Sequence, residues 1–181
     1  MITLSRDEAT KLWNKFWNET KEEWFKVEIL QDYTAEDNGP SLQTWLNGNK
    51  EKAIRLMLKD AGEQEWVKQA KDAPFKKIRI HIVEKSYTPY LEWEIEHYKY
   101  LNIPLGDEKV YLVDKKDVKD LDLPNGDFMV FDQKKVARNY YDNQGLAYQM
   151  DFYDQNQGDD ISRFLTFRKK LLEKISTLKH L

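Results

Sequence analysis

A chain of 181 residues with 40% hydrophobic and 13% aromatic side chains carries enough apolar surface to offset chain entropy, which excludes disorder throughout and favours one domain over two. Its 32 acidic and 29 basic side chains leave a net charge of -3, so there is no global positive field to draw nucleic acid or an anionic membrane. The absence of cysteine excludes disulfides, thiolate metal sites and cysteine nucleophiles.

The first residues, MITLSRDEATKLW, meet charges by Arg6 to Glu8 and lack the apolar run of a signal peptide, and no stretch reaches membrane-spanning length. A cytoplasmic location is the default expectation. Ser5 with Glu8 three residues on is a capping-box signature and predicts a helix from Arg6 to Glu19, with Leu12, Trp13, Phe16 and Trp17 as its core stripe. From Trp24 to Leu30, Phe25, Val27 and Ile29 alternate with Lys26 and Glu28 as a half-buried strand requires. Asn38, Gly39 and Pro40 break the chain, and Ser41 is placed to cap a short helix carrying Leu42, Trp45 and Leu46 that ends at Gly48 and Asn49. Lys50 to Lys71 reads as a helical pair divided near Gly62.

Lys76 to Lys85 predicts a strand in which Ile78, Ile80 and Ile82 alternate with Arg79, His81 and Val83, so that His81 lies on the more polar face. Tyr90 to Leu101 carries two signals: LEWEIE alternates like a strand, whereas Thr88 and Pro89 resemble a helix N-cap followed by proline, and Leu91, Ile95 and Tyr98 recur at helical spacing. Helix is preferred because the apolar positions continue to Leu101, before Pro104 and Gly106 break the chain. A strand follows at Lys109 to Val113. Pro124 to Asp127 then turns into a strand at Phe128 to Phe131, Asp132 to Lys134 turns again, Val136 to Tyr141 is the next strand, and the turn Asp142 to Gly145 leads to a third strand carrying Tyr148, Met150 and Phe152. Connections this short make an antiparallel meander. Asp159 and Asp160 introduce a final helix whose Phe164, Phe167, Leu171, Ile175 and Leu178 follow helical spacing. The expectation is an α+β fold over residues 1–181: an antiparallel sheet with a C-terminal three-strand meander, covered by N-terminal, central and C-terminal helices, with a helical elaboration at about 49–73.

Chemistry is less legible. Glu94 and His97 share a helical face and are the nearest approach to a metal motif, but a carboxylate di-metal centre needs a second Glu-x-x-His, which is absent. Asp132, Gln133, Lys134 has the D-x-K form of metal-dependent nucleases, with Asp127 as a further ligand, yet both aspartates stand where turn chemistry already accounts for them. No phosphate loop, dinucleotide fingerprint, HExxH helix or nucleophile elbow occurs, and no cofactor is implied. Arg163, Lys169, Lys170 and Lys174 give the last helix a basic exterior that could touch phosphate, although lysines also complement a helix C-terminus. Tyrosines and tryptophans gather in the middle of the chain. Core and core-edge roles account for most of them, and a candidate interaction groove is placed near Trp93, Tyr98, Arg138 and Tyr141.

The run Tyr90-Leu91-Glu92-Trp93-Glu94, then Asn102, Gly106-Asp107-Glu108, Leu123-Pro124, Asp127-Phe128, Phe131-Asp132, Val136, Tyr141-Asp142 and Gly145, resembles an uncharacterised family of small bacterial proteins whose genes often stand beside helix-turn-helix regulators. The similarity covers Trp24 to Tyr153 and departs from the family pattern in a longer helical region between Gly48 and Ala73. It implies an α+β, non-enzymatic regulatory or protein-interaction module whose partner is a protein such as a transcriptional regulator, without direct nucleic-acid contact. The alternatives are a metal-dependent hydrolase or nuclease using Asp127, Asp132 and Lys134 with Glu94 and His97, and direct nucleic-acid binding through the last helix.

Overall fold

The computed structural model describes residues 1–59, 61 and 64–181. The expected helix break at Gly62 lies outside the described residues. The chain begins with a short strand, β1 (Ile2–Ser5), which the sequence pattern did not reveal, and passes directly into α1 (Arg6–Glu19). Glu8 holds that junction, its carboxylate accepting from the Ser5 N–H at 3.1 Å and the Ser5 hydroxyl at 2.6 Å. After β2 (Glu23–Glu28) come α2 (Pro40–Leu46), α3 (Lys50–Lys59) and α4 (Glu65–Asp72), which lead into β3 (Lys76–Val83). Gly39, not Ser41, occupies the N-cap of α2.

The two-signal segment is helical. In α5 (Pro89–His97) the Thr88 hydroxyl accepts from the Leu91 N–H at 3.0 Å, so the cap and the following proline outweigh the strand-like alternation. A π-helical turn, Tyr98–Asn102, extends it and is followed by β4 (Glu108–Asp114). Ser41 acts at a distance: its hydroxyl donates to the Ala53 carbonyl at 2.8 Å and accepts from Trp93 Nε1 at 3.0 Å, joining α2, α3 and α5. β5 (Phe128–Phe131), β6 (Lys135–Tyr141) and β7 (Ala147–Asp154) form the expected meander, and α6 (Ser162–Ile175) closes the fold.

Among the described residues, seven strands lie in the order β1-β7-β6-β5-β2-β3-β4. The α+β class is as expected, with one correction to the sheet. It is antiparallel from β1 to β2 but parallel across β2-β3 and β3-β4. The reason is connectivity, since α2 to α4 bridge β2 to β3, α5 bridges β3 to β4, and such crossovers return the chain in the same direction.

Both faces of the sheet are covered. On one, Phe25, Val27, Ile80, Phe128 and Val130 pack against Phe164, Phe167 and Leu171 of α6. On the other, Met129, Phe131, Met150 and Phe152 pack against Ala9, Phe16 and Trp17 of α1, while Val83 and Leu112 meet Leu91 and Ile95 of α5. The expectation of a half-buried strand is therefore corrected for β2, where Glu28 is 3% exposed, and the more polar face of β3 is buried as well, with Arg79 9% and His81 0% exposed. Among the described residues, no helix is long and apolar enough to cross a membrane.

The turns follow local chemistry. Asp132 and Gln133, at φ 50° and 56°, are the central residues of the Phe131–Lys134 turn, a primed geometry that matches strand twist. Gly126 and Gly158 share φ +85°, but a Cβ on Gly126 would lie 2.2 Å from the Asn139 carbonyl oxygen, whereas one on Gly158 meets nothing within 4 Å. Gly158→Ala should therefore cost about 1–2 kcal/mol, the penalty of the left-handed backbone alone. Gly126→Ala should cost several kcal/mol because β6 must also move. Urea denaturation checks the difference, and equal losses would show that the turn is not held against β6.

Candidate functional site

Between Trp24 and Val83, the residues of β2 and β3 that turn away from α6 are polar, and parallel pairing sets Lys26 beside Arg79 and Glu28 beside His81. Arg79 is the hub. Its Nε lies 2.6 Å from Glu108 Oε2, its Nη2 3.2 Å from Glu108 Oε1 and its Nη1 2.7 Å from Glu28 Oε1. The guanidinium carbon stands 5.5 Å from the ring centres of both Trp24 and Tyr98. Burial pushes the Glu28 carboxyl up, but Arg79 and the Lys26 ammonium, 2.5 Å from Glu28 Oε1, reverse this and hold it well below the usual carboxylate range.

The network continues on both sides. Asn102, on the π-helical turn, donates to Glu108 at 3.1 Å and accepts from His97 Nδ1 at 2.8 Å. On the Glu28 side, Tyr98 donates its hydroxyl proton to Glu28 Oε2 at 2.9 Å. His81 Nε2 faces the Leu30 carbonyl at 2.8 Å, and Nδ1 lies 3.0 Å from the Tyr98 hydroxyl oxygen and 3.2 Å from Glu94 Oε2. A carbonyl can only accept and the single Tyr98 proton is already directed to Glu28, so both ring nitrogens of His81 carry hydrogen. Burial opposes that imidazolium, but Glu94 and Glu28 overcome it and raise the His81 pKa above its ordinary 6.5. For His97 burial prevails and lowers it.

Above this floor, α1, α4 and α5 stand apart and leave a cavity of about 640 Å³. Five of the chain's six tryptophans line it, Trp13, Trp17, Trp24, Trp66 and Trp93. A second chamber of about 150 Å³ shares Lys26, Glu28, Glu94 and Asn139 with it and extends to Tyr33 and Tyr141. Among the described residues, Trp24 Nε1, Glu94 Oε2 and Asn139 Oδ1 are the buried side-chain atoms without a hydrogen-bond partner. All three residues line the larger cavity. Glu94 Oε2 pairs with His81 by charge, without hydrogen-bond geometry.

The residues singled out from sequence are dispersed. Trp93 and Tyr98 line the larger chamber and Tyr141 the smaller. Arg138 is across from Phe128 on the face packed by α6, and its guanidinium stacks on Tyr140, so it does not belong to this groove. Glu94 and His97 diverge, the first meeting His81 and the second Asn102. Asp127 is fully buried and accepts from the Ile29 N–H at 2.8 Å, Tyr33 at 2.5 Å and Tyr141 at 2.9 Å. Asp132, at the far end of β5, accepts from the N–H groups of Lys21, Glu22 and Glu23 at 2.8, 2.8 and 3.0 Å, and Lys134 is exposed beside it. Both aspartates tie backbone, and the nuclease residues do not converge. On α6, Arg163 is paired with Asp122 and Lys174 with Asp120, while Lys169 and Lys170 are exposed.

Glu28, His81 and Glu94 bring potential metal-ligating atoms within 4.8 Å of one another. They do not fit a metal ion, because one Glu28 oxygen already faces Arg79 and Lys26, the other accepts from Tyr98, and His81 has no free lone pair. The sequence reading passed over Arg79, Glu28, Glu108 and Asn102. Opposite charges at neighbouring positions of adjacent apolar strands were the available signal.

A family model described as a domain of unknown function, DUF6879, matches residues 11–176, and the chain belongs to that family. No protein of curated function matches the sequence. Among solved structures the chain is similar to TrmBL2, an archaeal chromatin protein whose structure is described as showing a novel mode of DNA binding, at 16% identity over 99% of this chain and 53% of that one, with a TM-score of 0.40. The chain thus spans about half the length of that protein, and a TM-score of this size does not establish a shared fold.

Arg79→Leu should cost about 3–5 kcal/mol, since it leaves Glu28 and Glu108 buried without their cation. Guanidinium denaturation measures this, and a loss below 1 kcal/mol would remove Arg79 from the centre of the network. The two inner histidines should titrate in opposite directions in nitrogen-detected NMR, His81 remaining imidazolium above pH 6.5 and His97 neutralising below it. Because the folded pKa of His81 is raised, its contribution to stability is complete below 6.5 and is lost as pH rises through the folded value.

Proposed function

We propose that this DUF6879 domain is a non-enzymatic binding module that seats a small organic molecule between α1, α4 and α5. The observation that carries the reading is the set of three buried polar atoms without hydrogen-bond partners, one of them ion-paired with His81, on the wall of an aromatic cavity. An unsatisfied buried polar group costs about 1–3 kcal/mol, so a surface presenting three of them is completed by an occupant that supplies the missing partners. A cavity of about 640 Å³ also lies within the usual size of small-molecule sites. Binding is favoured over chemistry because the charged groups are committed to one another: Arg79 serves two carboxylates, and both nitrogens of His81 face fixed partners.

In this reading the regulatory role is that of a sensor, and a protein partner, such as the helix-turn-helix regulator implied by the resemblance, reads the state of the cleft. Direct DNA contact through α6 is disfavoured because Arg163 and Lys174 already face aspartates.

Thermal-shift measurements against neutral, anionic and cationic metabolites test the proposal, with Thr10→Trp as a blocking variant. Thr10 is exposed on α1 and lines the cavity, so a larger side chain obstructs it without entering the core. At least one compound should raise the melting temperature of the natural chain by about 5 °C or more, roughly the effect of a free concentration 100 times Kd, and should lose that effect in the blocked variant. No shift with any compound, or an equal shift in both proteins, overturns the proposal.

A further inference from the structure

The balance of charge and unmet hydrogen-bonding groups narrows the occupant, given the binding reading above. Arg6, Lys26 and Arg79 line the cavity against Glu28, Asp37, Glu94 and Glu108. The imidazolium of His81 behind Glu94 brings the total to neutrality. A cationic ligand would find the Trp24 and Tyr98 rings already taken by Arg79 and would have to approach that guanidinium. An anionic ligand would have to compete with Glu28 and Glu108 for the same guanidinium. A neutral occupant avoids both conflicts.

Its hydrogen-bonding complement can be read from the wall. Glu94 Oε2 and Asn139 Oδ1 require donors, and Trp24 Nε1 requires an acceptor. Glu94 and Trp24 are more than nine-tenths buried. Tryptophans, with Tyr90, Tyr98 and His97, give the wall its aromatic surface, and ring faces take a flat π-system in preference to a flexible aliphatic chain. A nucleobase meets these requirements, being uncharged and planar with N–H donors beside a ring nitrogen or carbonyl acceptor.

We propose that the cleft recognises a neutral nucleobase, free or as its nucleoside, stacked against tryptophan, donating to Glu94 and Asn139 and accepting from Trp24. The smaller chamber toward Tyr33 and Tyr141 gives room for a substituent such as a ribose.

Quenching of intrinsic tryptophan emission, with calorimetry on the full chain, tests this using adenine, hypoxanthine, cytosine, uracil, their nucleosides and guanosine. AMP serves as the anionic comparison and choline as the cationic one. One base or nucleoside should saturate with a Kd below 1 mM and bind at least tenfold more tightly than AMP or choline. Glu94→Gln should weaken it at least tenfold. Trp24→Phe, which keeps a ring but removes the donor, should weaken it severalfold, and Lys169→Ala on α6 should leave it unchanged. Two variants are needed because Glu94→Gln also disturbs His81, whereas Trp24→Phe leaves that pair intact. The proposal is overturned if no base or nucleoside saturates below 1 mM, if AMP or choline binds more tightly than all of them, or if both variants bind as the natural chain does. Should another compound enter the cleft while every base fails, the nucleobase assignment falls and the binding module stands. If nothing enters, both fall.

Discussion

A guanidinium buried on the face of a central strand is the constraint around which this half of the molecule is arranged. Arg79 cannot discard its charge, so its position on β3 demands compensation from whatever lies beside and above it. The strands on either side supply Glu28 and Glu108, and the π-helical turn after α5 supplies Tyr98 to the first carboxylate and Asn102 to the second. Each of those groups is then held by another, His81 beside Tyr98 and His97 beside Asn102. The wider turn brings Tyr98 and Asn102 onto opposite ends of the same charged row.

Stability alone gives little reason for such an arrangement. Well-packed apolar residues commonly replace a buried ion-pair cluster at no loss, and the opposite face of this sheet shows the apolar solution in place, with α6 laid across Phe25, Val27, Ile80 and Phe128. The two faces of β2 and β3 thus divide the work. One excludes water and supplies most of the hydrophobic stabilisation, while the other places charges and hydrogen-bonding groups at the bottom of an aromatic cavity.

Elements governed by local chemistry were legible in the sequence. The Ser5 to Glu8 cap, the Thr88-Pro89 start of α5, the turn at Asp132 and the meander each depend on residues within a few positions of one another. The edge strand β1 was not, because four residues offer too little pattern. Alternation in β2 and β3 was seen, but it reports only that two faces differ, not which of them meets solvent. That depends on how α1 and α5 fold back over the sheet, which alternation within a strand does not encode. The grouping of Arg138 with Tyr141 failed for a simpler reason: residues three apart in a strand point to opposite sides, so Arg138 faces α6 while Tyr141 reaches Asp127.

Asp127 shows how the cleft and the fold are joined. Its carboxylate holds the end of β2 through Ile29 and orients Tyr33 and Tyr141, which form the wall of the smaller chamber. Tyr98, Trp93 and His97 are likewise fixed by Glu28, Ser41 and Asn102. A wall whose side chains are already immobilised by the protein loses little further freedom on binding, so the interaction energy of an occupant is not spent on ordering the site. The atoms left without partners are therefore held in rigid surroundings, and a rigid pattern of unmet donors and acceptors is what allows a cavity to select one hydrogen-bonding complement over another.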